Sequence, residues 1–86
     1  MDMENNHRTI EINIKFFSYL VDYSPTREKR VTLSVEGGTT LSELWNRLKI
    51  PKKVEKIFLV NETYCSEDKI LKQGDVVSIL PMIDGG

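Results

Sequence analysis

A chain of 86 residues can bury one small core and is too short to hold a cofactor domain beside a substrate domain. It is 40% hydrophobic and 29% charged, and 12 Lys+Arg against 13 Asp+Glu leave a formal net charge of −1, a balance that argues against nucleic-acid or other polyanion binding. No apolar run reaches the roughly 18 residues of a membrane crossing, the N-terminus lacks the apolar core of a secretion signal, and a single cysteine, Cys65, excludes an internal disulfide and a thiolate-rich metal site; no membrane, no bound metal and a cytoplasmic setting are the expectations.

Residues 1–8 are polar and aperiodic and are expected to form a flexible leader. From Thr9, Ile10, Ile12, Ile14 and Phe16 alternate with Glu11, Asn13 and Lys15, the period of a half-buried strand. Phe17 breaks the alternation and falls on the polar face, where it is either capped by the following loop or left for a partner. Leu20, Val21 and Tyr23 fit a helical turn, and after Pro25 and the charged run Arg27–Arg30 a second strand carries Val31, Leu33 and Val35 on one face. The two strands are predicted to form a wide hairpin.

Gly37 and Gly38 end that strand, and Thr40 with Glu43 three residues on has the form of a capping box. Leu41, Leu44, Trp45 and Leu48 then recur at helical spacing, which predicts one helix with a single apolar face, stopped before Pro51. Ile57–Val60 reads as a strand apolar on both faces, so pattern alone leaves open which pair meets the core. Asn61-Glu62 reads as a tight turn, Thr63–Cys65 as a short return strand, Ile70-Leu71 as an apolar anchor and Gln73–Asp75 as a turn. In the last strand Val77 and Ile79 alternate against Val76, Ser78 and Leu80, and Pro81 is expected to stop the ladder. One helix of about ten residues covers only one face of a sheet, so the predicted class is α+β, a mixed sheet with the helix across one side. A right-handed crossover through the helix, with first and last strands side by side, gives a β-grasp arrangement.

These residues carry a family resemblance. Ile14–Phe17, Gly38–Leu44, Val60-Asn61, Leu71–Val77, and Pro81 shortly before Gly85-Gly86 together resemble the ubiquitin-like sulfur carriers of the MoaD/ThiS type, most nearly the small subunit of molybdopterin synthase. The resemblance covers residues 9–86 and implies a β-grasp domain over 9–81 with a flexible tail over 82–86. Two departures stand out: Glu62 occupies a turn position where such carriers often have glycine, and Asp84 precedes the terminal glycines where they tend to have a small residue. The long Ser18–Lys29 segment and Pro81 favour the molybdopterin branch over the shorter thiamine-pathway carriers.

What the resemblance implies is chemistry at Gly86, with Gly85 beside it. An α-carboxylate, with a pKa of about 3.3–3.7, is ionised and a poor electrophile until one oxygen becomes a leaving group. A partner's adenylation by ATP accomplishes this, and the acyl-adenylate then accepts sulfur as a thiocarboxylate for dithiolene formation. Glycines, lacking Cβ, enter a narrow channel. The chain would have no catalytic residues and no bound cofactor of its own; its implied partners are an E1-like adenylating enzyme that uses ATP, the large subunit of molybdopterin synthase and a sulfur donor system. Phe17, Tyr64 and Leu80 match an apolar docking patch on the resemblance, with Pro81, Met82 and Ile83 leading to the tail. The residue pattern independently places Phe17 and Leu80 off the core phase of their strands. Alternatives are a carrier for thiamine, cysteine or tungsten-cofactor synthesis, and a ubiquitin-like module that is conjugated or docks noncovalently.

Other residues read as structural. Cys65 lacks a cationic sequence neighbour, His7 stands alone, Trp45 is at helix core spacing, and Gly74-Asp75 lacks the strand–loop–helix context of a phosphate loop. The charges of 27–30 and 49–56 read as solvated faces able to steer an acidic partner or an anionic pterin phosphate.

Overall fold

The computed structural model describes residues 8–82; the expectations for the leader over 1–7 and for Ile83, Gly85 and Gly86 lie outside the described residues. Strand β1 (Thr9–Phe16) alternates as its sequence dictates, with Ile12, Ile14 and Phe16 buried. It pairs antiparallel with β2 (Arg30–Glu36), from Thr9 opposite Glu36 to Lys15 opposite Arg30, which forms the wide hairpin. Between them, Ser18–Tyr23 forms a 3₁₀ turn whose Leu20 inserts fully into the core.

Helix α1 (Leu41–Leu48) begins with the predicted capping box: Glu43 N donates to Thr40 Oγ1 at 3.2 Å, and Thr40 N donates to Glu43 Oε1 at 3.0 Å. Two backbone donors left free by any helix start are thereby satisfied. The helix ends at Lys49, in the left-handed region at φ 63°, rather than running up to Pro51; Ile50 N returns to the Trp45 carbonyl and buries the Ile50 side chain. Leu41, Leu44, Trp45 and Leu48 are all buried.

Strands β3 (Lys56–Val60), β4 (Thr63–Tyr64) and β5 (Val76–Pro81) complete a five-stranded sheet of order β2-β1-β5-β3-β4. β1 and β5 are parallel and central, and the other pairings are antiparallel, so β2 and β3 run the same way and α1 lies in the crossover between them. This is the predicted β-grasp. Register resolves the ambiguity of β3: Val60 lies opposite Val77 and Phe58 opposite Ile79, so Phe58 and Val60 take the core side. The Phe58 ring lies 4.8 Å from that of Trp45, whose own position confirms packing rather than display.

Asn61 and Glu62 both have positive φ, 53° and 69°, the requirement of a type I′ hairpin turn. Asn61 is locked there. Its Nδ2 donates to Asp75 Oδ1 at 2.9 Å and its Oδ1 accepts from Val76 N at 2.9 Å, while Asp75 Oδ2 accepts from Lys72 N at 2.8 Å. The mostly buried Asp75 thus ties two turns together.

Two expectations need correction. Pro81 does not stop the ladder; it is the last residue of β5 and lies opposite Lys56. Ile79 accepts from Phe17 N, so odd-numbered residues of β5 direct their backbone groups toward β1, whose register with β5 ends at Phe16 opposite Ile79. The proline nitrogen therefore faces a side with no strand, and no ladder bond is lost. Ile70 is not an anchor: it is 54% exposed while Leu71 is 2% exposed, because adjacent extended residues point to opposite sides. Ser78 keeps the outer phase read for it, opposite Lys15 and Leu59, and is buried on that face.

Leu44→Ala is expected to lower the unfolding free energy by about 2–5 kcal/mol, and Thr40→Ala by about 1 kcal/mol through loss of the cap. Glu62→Gly should raise it by about 0.5 kcal/mol, since relief of a left-handed side chain, about 1–2 kcal/mol, exceeds the backbone entropy glycine adds, about 0.5–1 kcal/mol. Urea titrations of the three variants check all three signs.

Candidate docking face and tail

The sheet has one face covered by α1 and one without a helix. Strand alternation places Glu11, Asn13 and Lys15 of β1, Val76, Ser78 and Leu80 of β5, and Ile57 and Leu59 of β3 on the helix-free face. Phe17 keeps extended geometry, at φ −107° and ψ 142°, and continues the β1 alternation on that face. Ser18, at φ 58°, then turns the chain away into the 3₁₀ turn, so the Ser18–Lys29 segment does not cover Phe17, which is 43% exposed.

Phe17 and Leu80 share one groove. Together with Lys15, Leu59, Val76 and Ser78, and with Asn61 and Glu62 at the β3–β4 turn, they line an open groove of about 480 Å³. Ser78 lies between Lys15 and Leu59 in register and is 8% exposed; its small side chain is the sheltered part of the groove. Tyr64 does not line the groove. It stands opposite Leu59 on the same face, 74% exposed, and extends the apolar surface toward the sheet edge. Half-buried Pro81 and exposed Met82 follow Leu80 at the end of β5 and lead toward the glycines.

Leu59, Val76 and Lys15 join the site without having been singled out from sequence. Their signal was available in part: Lys15 and Val76 share the phase of Phe17 and Leu80, whereas Leu59 required the pairing of β3 with β5. Cys65 is half-buried against the core, away from the groove lining. Among the described residues no group of three or more His, Cys, Asp or Glu is placed to hold a metal ion, and no helix is long and apolar enough to cross a membrane. Four apolar residues, Phe17, Leu59, Val76 and Leu80, and four polar ones, Lys15, Ser78, Asn61 and Glu62, give this groove the mixed surface that suits docking.

The sequence model of the ThiS family matches residues 14–86, from the end of β1 through Gly85-Gly86. The chain belongs to the ThiS family. The match takes in Phe17, Tyr64, Leu80 and both glycines, and the ubiquitin-like sulfur-carrier resemblance is thereby a family membership. No curated protein sequence matches the chain significantly. Among solved structures, a putative molybdopterin converting factor subunit 1 from Pyrococcus furiosus superposes with a TM-score of 0.71 at 19% identity, covering 86% of this chain and 99% of that one. Small archaeal modifier protein 1 of H. volcanii superposes at 0.71 with 16% identity, covering 86% and 99%. A complex of subunits 1 and 2 of molybdopterin-converting factor from Helicobacter pylori contains a similar chain, at a TM-score of 0.59 and 23% identity, covering 90% and 100%. At these identities the likenesses establish the β-grasp fold of this ThiS-family chain.

Because Phe17 is displayed rather than packed, Phe17→Ala should lower stability by less than about 1 kcal/mol, far less than Leu44→Ala. Thermal or urea unfolding checks this; a loss equal to that of Leu44→Ala would place Phe17 in the core.

Proposed function

We propose that this protein carries sulfur as a thiocarboxylate on Gly86 and, as the small subunit of a molybdopterin synthase, donates it for dithiolene formation. The observation that supports this most directly is the alignment of Gly85-Gly86 within the family match, downstream of a strand whose outer side chains build an exposed apolar groove. The carboxylate oxygen of Gly86 attacks the α-phosphate of ATP on an E1-like enzyme and pyrophosphate leaves. Hydrosulfide supplied by the donor system then attacks the acyl carbon through its sulfur, AMP leaves, and loss of the proton leaves a thiocarboxylate on Gly86. Phe17, Leu80 and Tyr64 hold the partner, while Pro81, Met82 and Ile83 direct the glycines, Gly85 and Gly86, into its active site. A cytoplasmic setting, where ATP is at hand, fits this reading. The molybdopterin branch is favoured by the Ser18–Lys29 segment, by Pro81, and by the two converting-factor subunits that share the fold. The archaeal modifier of the same fold supports a second reading, in which the same activated glycine is transferred to a lysine instead of to sulfur.

Incubation with an adenylating enzyme, ATP and a sulfur donor is expected to replace one oxygen by one sulfur, a mass change mapping to Gly86. Deletion of Gly86 should abolish transfer with the urea midpoint unchanged, and a truncated chain that still delivers sulfur to a pterin overturns the proposal. Phe17→Ala or Leu80→Ala should weaken partner binding about tenfold or more, by titration calorimetry. Co-purification with a synthase large subunit fits the molybdopterin assignment; a thiazole synthase in its place, or isopeptide adducts on lysines, selects an alternative.

A further inference from the structure

Beside the groove the β1–β2 register sets two cations opposite each other. Of the seven register pairs between β1 and β2, Lys15 opposite Arg30 is the one with an ion on both strands, and both ions are cations. Directly opposed residues project to the same face, and like charges so placed repel. The neighbouring pair shows the alternative available to the fold: Thr32 Oγ1 donates to Asn13 Oδ1 at 2.9 Å, a neutral contact. Lys15 is half-buried and also lines the apolar groove, while Arg30 is exposed. A second hollow beside them is lined by Lys15, Phe16, Phe17, Ser18, Lys29 and Arg30, and a third by Lys15 and Arg30 with Asn13, Ile14, Val31, Thr32 and Val76; neither lining includes a carboxylate. A chain of net charge −1 therefore gathers three cations in one hollow beside Phe17, with Glu62 the one carboxylate in the lining of the adjoining groove.

We propose that Lys15, Lys29 and Arg30 form an acid-reading corner, which receives carboxylate side chains of a partner protein segment whose apolar residue lies in the Phe17–Leu80 groove. The inference deepens the docking part of the proposed function and rests on it. Continuity decides the class of occupant. Lys15 belongs to the groove and to both hollows, so a ligand that uses the groove presents its neighbouring groups to the cations. An apolar anchor flanked by carboxylates satisfies both halves, which a free anion does not. Neutralising two facing cations on binding also removes their mutual repulsion, and the charge attraction raises the association rate and fixes the register of docking.

The test uses the full chain and two synthetic peptides, one with a single Phe flanked by paired Glu residues and one with Gln at those positions, titrated by amide NMR. The acidic peptide is expected to shift the amides of Lys15, Phe17, Arg30 and Leu80 and to bind about fivefold more tightly than its Gln counterpart. That preference should vanish in about 0.5 M salt and in the Lys15→Gln/Arg30→Gln variant, and should survive in Lys15→Arg/Arg30→Lys. Unchanged shifts elsewhere in the variant spectra confirm the fold. Equal affinity for the two peptides, or shifts mapping away from the groove, overturns the proposal. So does inorganic phosphate alone reproducing the peptide's shifts, which marks a small-anion site, and so does movement of the Lys15 and Arg30 amides on deletion of residues 83–86, which makes the chain's own acidic tail the occupant. Sulfur transfer to Gly86 is read separately by mass, so loss of the peptide preference with transfer intact refutes the corner alone.

Discussion

The parallel pairing of β1 with β5 is the constraint on which the rest depends. It joins residues more than sixty positions apart at the centre of the sheet, where Ile14 faces Val77 and Phe16 faces Ile79, and all four are buried. Such a pair cannot be closed by a tight turn, so everything between, including α1 and its crossover, serves as the connection. Side chains alternate with period two, and a slip of one residue would exchange the faces. The hydrophobic demand of Ile12, Ile14, Val77 and Ile79 for the helix side thus also fixes Phe17, Val76 and Leu80 on the opposite side. Core formation and display of the groove are consequences of one register.

That division lets a small domain expose apolar surface without losing its core. The fully buried Leu and Ile side chains, each contributing about 1.5–3 kcal/mol, lie between the sheet and α1. The sheet's edges, by contrast, are closed to casual pairing. Arg47 donates to the Ser34 carbonyl at 2.8 Å, Thr39 donates to the Glu36 carbonyl through both its backbone N–H and its hydroxyl, and β4 is two residues long. Edge protection of this kind limits strand-to-strand aggregation. The apolar surface that stays exposed in the sheet lies on the helix-free face.

Local chemistry made most of the fold legible from sequence. The alternation of β1 and β2, the Thr40–Glu43 box and the helical spacing of Leu41, Leu44, Trp45 and Leu48 each concern residues that solve their own backbone or burial problem within a few positions. What sequence could not supply was pairing. The face of Phe58 and Val60 depends on β5, the role of Asp75 on Asn61 fourteen residues away, and the tolerance of Pro81 on where β1 ends. Ile70-Leu71 read as one anchor because both are apolar, yet an extended dipeptide buries only one side chain. For the candidate site, Phe17 and Leu80 were legible as breaks in a period, whereas Leu59 and the opposition of Lys15 to Arg30 required the register.

The placement of the groove beside the outgoing end of β5 bears on how a terminal glycine could be used. Ordering an extended peptide costs about 1–2 kcal/mol per residue, and Gly85 and Gly86 have no side chains with which to offset it. Contacts along the tail alone are therefore a poor source of affinity. A rigid groove at its root is a better one, because Phe17, Leu59, Val76 and Leu80 are already held by strands and lose little freedom on binding. For a carrier of the proposed kind, engagement of the groove makes delivery of the tail intramolecular, and the five residues after β5, Met82 to Gly86, can span about 17 Å at most. In the proposed carrier, affinity resides in the sheet face and reactivity in the terminus. The two are joined by a short tether anchored at Leu80, which lies opposite Ile57 in the ladder and also lines the groove.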